Sequence, residues 1–234
     1  MYNCEIEFAN LNINWRFPYM ISQLPAPSTE AFDILIKGLR PFEINARSIN
    51  LESPSSNLDD VAITINLLKP KINLRIAYSG IEIDARDVEE EEVEQILQIL
   101  DSTFQSLEKI NSEFKSGNGN VKVSLHIKLS DKNISEYISE RVSVKINSLD
   151  VKSEATVFSL NADEITKQYP TKITIAESLA VKNGLFLDIN YQSKKSVEHI
   201  ENEEPIEFFQ KLAKHYQTIF SVLDLNPIDA EENS

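Results

Sequence analysis

The chain has 234 residues, 37 acidic against 23 basic, giving a net charge of −14 and an isoelectric point near 4.7. Such a surface repels phosphate backbones and anionic lipid headgroups, so direct nucleic-acid binding is not expected. No window approaches the roughly 18 consecutive apolar residues of a membrane-spanning helix, and no membrane partner is expected.

The opening stretch Met1-Tyr2-Asn3-Cys4-Glu5-Ile6-Glu7-Phe8 lacks the basic and apolar regions of a secretory signal. The lone Cys4 cannot form an internal disulfide, which fits a reducing compartment. A cytoplasmic location is the expectation. Positions 1–117 carry a net charge of −9 and the remainder −5, so neither half is a basic module carried by an acidic one.

The first local feature is Asn14-Trp15-Arg16-Phe17-Pro18-Tyr19, aromatic residues around one cation. Trp15, Arg16, Phe17 and Tyr19 have the composition of interface anchors. A first strand tucking aromatics into the core explains them as well. After the loop Gln23–Ser28, Ser28 is placed to cap a short helix over Ala31–Gly38, although Phe32–Ile36 also reads as a strand. Strands follow where apolar residues alternate: Val61–Leu67, then Ile72, Leu74, Ile76 and Tyr78, then Ile81 and Ile83. Alternation marks antiparallel strands with one wet face and argues against a doubly wound nucleotide-binding fold.

From Val93 the period changes. Ile96, Leu97, Leu100, Phe104, Leu107 and Phe114 are spaced for one helical face, and Asp87 with Glu90 resembles a capping box. Lys115–Asn120 reads as a helix stop and flexible turn. Val121, Val123, Leu125, Ile127 and Leu129 alternate again, Asn133–Ser139 matches the earlier short helix, and Val142, Val144 and Ile146 make a shorter strand set. A second long helix carries Phe208, Phe209, Leu212, Tyr216, Ile219 and Leu223, with Pro205 in its first turn. Asn226–Ser234 has the composition of a disordered acidic tail.

The two long helices align at a constant offset of 112, Ile96-Leu97-Gln98 with Phe208-Phe209-Gln210 and Phe104–Leu107 with Tyr216–Ile219. Gly80–Asp84 aligns with Gly184–Asp188 at an offset of 104, and Pro70–Ile72 faces Pro170–Ile173. A polar insertion around Ser193–Ile200 takes up the difference. The expected fold is therefore α+β. It consists of internally duplicated antiparallel sheet units, roughly β-α-β4-α per half, each closed by a long amphipathic C-terminal helix. The repeats run 1–117 and 118–225, with 226–234 as the tail, in one compact unit. That order is similar to the one in TATA-box-binding-protein-type and helix-grip folds. The likeness is architectural, since neither group's sequence motif is present, and it implies no function and no site residue.

The acidic run Glu89–Glu92 reads first as a helix start, where carboxylates face the positive end of the macrodipole, and second as a cation site or a docking patch for a basic partner. Asp84 and Asp188 are equivalent strand-end carboxylates, a commonplace turn arrangement. His126, His199 and His215 have no ligand spacing, and His126 falls on the polar side of its strand. Five glycines leave no phosphate loop. No cofactor, metal or catalytic constellation is expected.

Two function classes remain. One is a non-enzymatic protein-interaction or assembly module using an acidic, sheet-rich surface, with a basic protein partner or self-association. The alternative is a binder of a small apolar ligand, its helix-over-sheet cavity lined by Phe104, Phe208, Phe209, Tyr216 and Phe220.

Overall fold

The structure, a computed structural model, describes residues 1–24, 29–52, 61–68, 71–130, 133–141, 157–162, 170–193 and 205–228. In chain order these form β1 (Tyr2–Arg16), α1 (Thr29–Leu39), β2 (Ile49–Glu52), β3 (Ala62–Leu67), β4 (Ile72–Ala77), β5 (Gly80–Ala85) and α2 (Glu90–Ile110). They continue as β6 (Asn118–Leu129), α3 (Ile134–Arg141), β7 (Phe158–Asn161), β8 (Thr171–Glu177), β9 (Gly184–Gln192), α4 (Pro205–Val222) and β10 (Leu225–Pro227). The fold is α+β. Nine strands pair in the order β2-β3-β4-β5-β1-β6-β9-β8-β7, and β10 pairs with β1. No helix among the described residues is long and apolar enough to cross a membrane.

The chain divides into two compact units. One comprises Asn10–Val121 and Gln192–Lys211, the other Met1–Ala9, Lys122–Tyr191 and Leu212–Ser234.

In the Asn10–Val121 unit the alternating residues behave as their period requires. Antiparallel register sets Ile49 against Ile65, Ile65 against Leu74, Leu74 against Ile83, and Ile83 against Ile13, making one apolar row across five strands. Burying each such side chain contributes about 1.5–3 kcal/mol. The 21 residues of α2 bury Ile96, Ile99, Leu100, Thr103, Phe104, Ser106 and Leu107. Ile99 thus belongs to the buried stripe, and Leu97 lies half-buried at its margin. Thr103 Oγ1 and Ser106 Oγ are tolerated there because they donate to the Ile99 and Ser102 carbonyls, both at 2.7 Å. Of the two readings of Phe32–Ile36, the helical one is found, in α1. A Cβ on Gly38 of α1 would collide with Ser106 Oγ of α2, so a glycine lets the two helices approach.

The start of α2 differs from expectation. Asp87 is not the N-cap. It has φ 50° and donates its backbone N–H to Asn10 Oδ1 at 3.1 Å, as part of a turn. Glu89, extended at φ −85° and ψ 160°, is the N-cap, and its N–H donates to Glu92 Oε2 at 2.9 Å. The capping box lies two residues later than the acidic pattern suggests. Four consecutive glutamates offer several equivalent boxes, and the turn chooses between them. Lys71 Nζ reaches Glu92 at 2.9 Å and Glu89 at 3.4 Å.

In the other unit β7, β8 and β9 pair antiparallel, with Ile173 opposite Ile189 and Ile175 opposite Leu187. Asn133 Oδ1 accepts the Ser135 N–H at 2.9 Å, and Asn183 Oδ1 accepts the Ile134 N–H at 3.0 Å, satisfying orphan donors at the start of α3. Buried Tyr137 donates its hydroxyl to the Leu223 carbonyl at 2.7 Å. Asn226 and Pro227, placed by composition in a tail, belong to β10. Val142, Val144, Ile146 and 229–234 lie outside the described residues.

Candidate functional site

The N-terminal aromatic segment divides at the end of β1. Trp15 is fully buried and Phe17 nearly so, whereas Arg16 is exposed and Tyr19 is 65% exposed. Strand alternation sends Trp15 to the core face beside Ile81, its partner on β5. There its indole meets Phe104 and Phe208 edge-on, with centroids 6.2 and 5.6 Å apart. Phe17 packs edge-on against Phe114 at 5.2 Å, and Phe114 stands 5.9 Å from Phe104. Four aromatic residues of this unit, Trp15, Phe104, Phe114 and Phe17, therefore run in a chain from the core to the foot of the turn that follows β1.

That turn is fixed at both ends by backbone bonds to the β4–β5 hairpin. The Phe17 N–H donates to the Ser79 carbonyl at 2.9 Å and the Ile21 N–H to the Tyr78 carbonyl at 3.0 Å. Arg16 Nη1 donates to Ser79 Oγ at 3.2 Å. Gly117 has φ 78°, and a Cβ there would meet the Arg16 carbonyl, so a glycine is required beside the turn. Between these anchors the chain bends at Pro18 and displays Tyr19 together with Met20, which is 51% exposed. A shallow cleft of about 20 Å³ lies here, lined by Pro18, Tyr19, Met20, Phe114 and Lys115 among others.

Aromatic residues, Met and Arg are the types enriched where proteins meet. Here they stand on a turn whose backbone is pinned, so little ordering entropy is lost on contact. Met20 was missed by sequence reasoning. Its signal, a large apolar residue directly after Pro18-Tyr19 and before a loop, was present but not distinctive.

The proposed pocket residues fall into two packed groups. In the Asn10–Val121 unit, Phe104 and Phe208 close on Trp15, and Phe209 lies edge-on to Phe208 at 5.9 Å. In the other unit, Tyr216 and Phe220 stack at 4.5 Å. Phe104, Phe208, Phe209 and Phe220 are buried, and Tyr216 is half-buried. Two shallow clefts among the described residues hold about 20 Å³ each, and none of these five residues lines either. The Trp15 Nε1–H is buried without a hydrogen-bond partner among the described residues.

Asp84, Asp188 and His126 are each held by neighbours. Asp84 accepts from Arg86 Nε at 3.2 Å, and Asp188 accepts from Ser124 Oγ at 2.6 Å and pairs with Lys122 at 3.4 Å. His126 is half-buried, not exposed, with its ring 5.1 Å from that of Phe186. Ser178 Oγ accepts the Ala180 and Val181 N–H groups and lies 2.8 Å from His126 Nδ1. No cluster of three or more His, Cys, Asp or Glu able to hold a metal ion occurs among the described residues.

No protein-family model matches the chain, and no curated protein matches it in sequence.

Proposed function

We propose that this chain is a non-enzymatic protein-interaction module whose contact point is the turn after β1, with Tyr19 and Met20 as apolar anchors and Arg16 as the polar one. One observation carries the reading: Tyr19 and Met20 are displayed on a turn tied at both ends to Tyr78 and Ser79, beside the packed Phe17–Phe114 pair, with Arg16 exposed at the end of β1 just before it. The net charge of −14 steers a basic protein partner toward the molecule, or a basic patch of a second copy. The burial of Phe104, Phe208, Phe209 and Phe220 against other aromatic rings favours this reading over a small apolar ligand.

We also read the chain as a duplication of a β-α-β4-α unit closed by α2 and α4. The support is the two sequence offsets together with a similar succession of elements, four strands between α1 and α2 and, among the described residues, three between α3 and α4. The repeats would be 1–117 and 118–225.

A photo-reactive residue at Met20, with the same residue at exposed Val157 as control, tests the contact point in the chain's own source. A discrete cross-linked protein at Met20, absent at Val157 and lost on Tyr19→Ala, is expected. Equal capture at both positions contradicts the assignment.

A further inference from the structure

In the unit of Met1–Ala9 and Lys122–Tyr191, the outer face of the sheet carries aromatic rings where alternation calls for polar side chains. His126 on β6 stands between Phe8 of β1, with centroids 6.2 Å apart, and Phe186 of β9, at 5.1 Å. Leu125, Ile127 and Leu129 of β6 are buried, so His126 and Lys128 face outward. Phe8 is 42% exposed, and His126 and Phe186 are half-buried.

Phe8 reaches this face through a break in alternation. Lys128 Nζ pairs with Glu7 at 3.4 Å and with Glu5 at 3.7 Å, which sets both carboxylates on the outer side. Phe8 follows Glu7 directly, and a regular pleat would turn it to the opposite side. One extra residue in β1, a β-bulge at Glu7–Phe8, brings both to the side of His126. Burial along β1 changes parity accordingly, from Cys4 to Ile13 and Trp15. Bulges of this kind re-aim side chains beside functional sites. Here the bulge sets an exposed ring next to two carboxylates that share one ammonium.

Glu5 and Glu7 together exceed Lys128 by one negative charge, and the chain's net −14 adds to the local potential. Ring faces beside carboxylates suit a delocalised cation. A guanidinium stacks on a ring and forks onto a carboxylate, whereas an ammonium is a compact, strongly hydrated point charge. Neither of the two clefts among the described residues lies on this face, so it offers a free small molecule little enclosure. The cation that fits it is carried by a larger body covering the neighbouring strands. We propose that the Phe8–His126–Phe186 row, with Glu7, is a binding site for an arginine side chain of a basic protein partner, its guanidinium stacked on Phe8 and paired with Glu7. The source of the arginine rests on the protein-interaction reading, and the site is separate from the Arg16–Met20 turn.

The test is an NMR titration of the isotope-labelled full chain with N-acetyl-arginine amide, beside N-acetyl-citrulline amide, which keeps the shape and lacks the charge. The arginine probe shifts the backbone amides of Phe8, His126 and Phe186 with an affinity at least about threefold above that of the citrulline probe. Phe8→Leu, which keeps apolar bulk, and Glu7→Gln each bring that affinity down toward the citrulline level, whereas Arg16→Ala leaves it unchanged. If the Phe8→Leu spectrum shows a disturbed fold, Glu7→Gln is read in its place by the same criterion. Equal affinities of the two probes overturn the proposal, as do shifts centred on the glutamates of α2 or an undiminished response in Glu7→Gln. So does free arginine moving these amides while N-acetyl-arginine amide does not, which assigns the site to a free amino acid. The readout lies on this face alone, so failure here leaves cross-linking at Met20 standing, and the converse.

Discussion

Two neighbouring regions of one unit use the same residue types for opposite ends. Trp15, Phe104 and Phe208 meet inside the core, whereas Tyr19 and Met20 are shown to solvent a few residues later in the chain, and Arg16, next to Trp15 on β1, faces out by alternation. What separates them is backbone and not composition. As long as β1 pairs with β5, alternation decides which side chains turn inward. Beyond β1 the turn is held by Ser79 and Tyr78, so that Phe17 and Ile21 at its tied ends turn inward while Tyr19 and Met20 between them face solvent. Core aromatics should then govern stability and turn aromatics should govern contact, with little crossover.

Truncating the core gives the largest expected effect. Phe104→Ala removes the ring between Trp15 and Phe114 and costs about 3–5 kcal/mol in chemical denaturation. A near-neutral result would mean that the space at Phe104 is not packed, and would revive the apolar-ligand reading.

Next comes the helix crossing. Gly38→Ala costs about 1–3 kcal/mol by driving a methyl into Ser106 Oγ. Adding Ser106→Ala recovers most of that loss, because the remaining approaches, 3.4 Å to the Ser102 carbonyl oxygen and 3.6 Å to the Ser106 Cβ, are ordinary contacts. If Gly38→Ala alone stabilises the protein, α1 and α2 are not in close contact there.

A smaller effect belongs to the start of α2. Burial alone would raise the Glu92 carboxyl, but the Glu89 N–H and the Lys71 ammonium outweigh it and hold the group below the usual range. A lowered folded value means the contribution is present above the ordinary glutamate range and is lost as pH falls through the folded value. Glu92→Gln should cost about 0.5–1 kcal/mol at neutral pH and flatten that part of the acid limb. An acid limb identical to that of the parent would remove Glu92 from the cap.

The smallest stability change is expected at the turn. Arg16→Ala and Tyr19→Ala should each stay within about 0.5 kcal/mol of the parent in thermal melts, because the exposed side chains pack on little.

The strands were legible because alternation is written residue by residue: Ile72, Leu74 and Ile76 are buried as their spacing demands. The long helices were legible for the same reason at another period. Three features were not. The cap of α2 depended on a contact from Asn10, 77 positions away from Asp87. β10 is three residues containing Asn and Pro, and becomes a strand only because β1 supplies a partner. The different fates of Trp15 and Tyr19 depended on where β1 stops pairing, which the aromatic pattern itself does not encode.

The most direct test of the account is whether contact and stability separate at the turn. Native mass spectrometry of the protein from its own source, run beside thermal melts, compares the parent with Arg16→Ala/Tyr19→Ala. The account predicts a partner chain retained by the parent and lost from the variant, with superimposable melts. A variant that keeps the same partner contradicts it, as does a parent that carries a small apolar molecule and no protein.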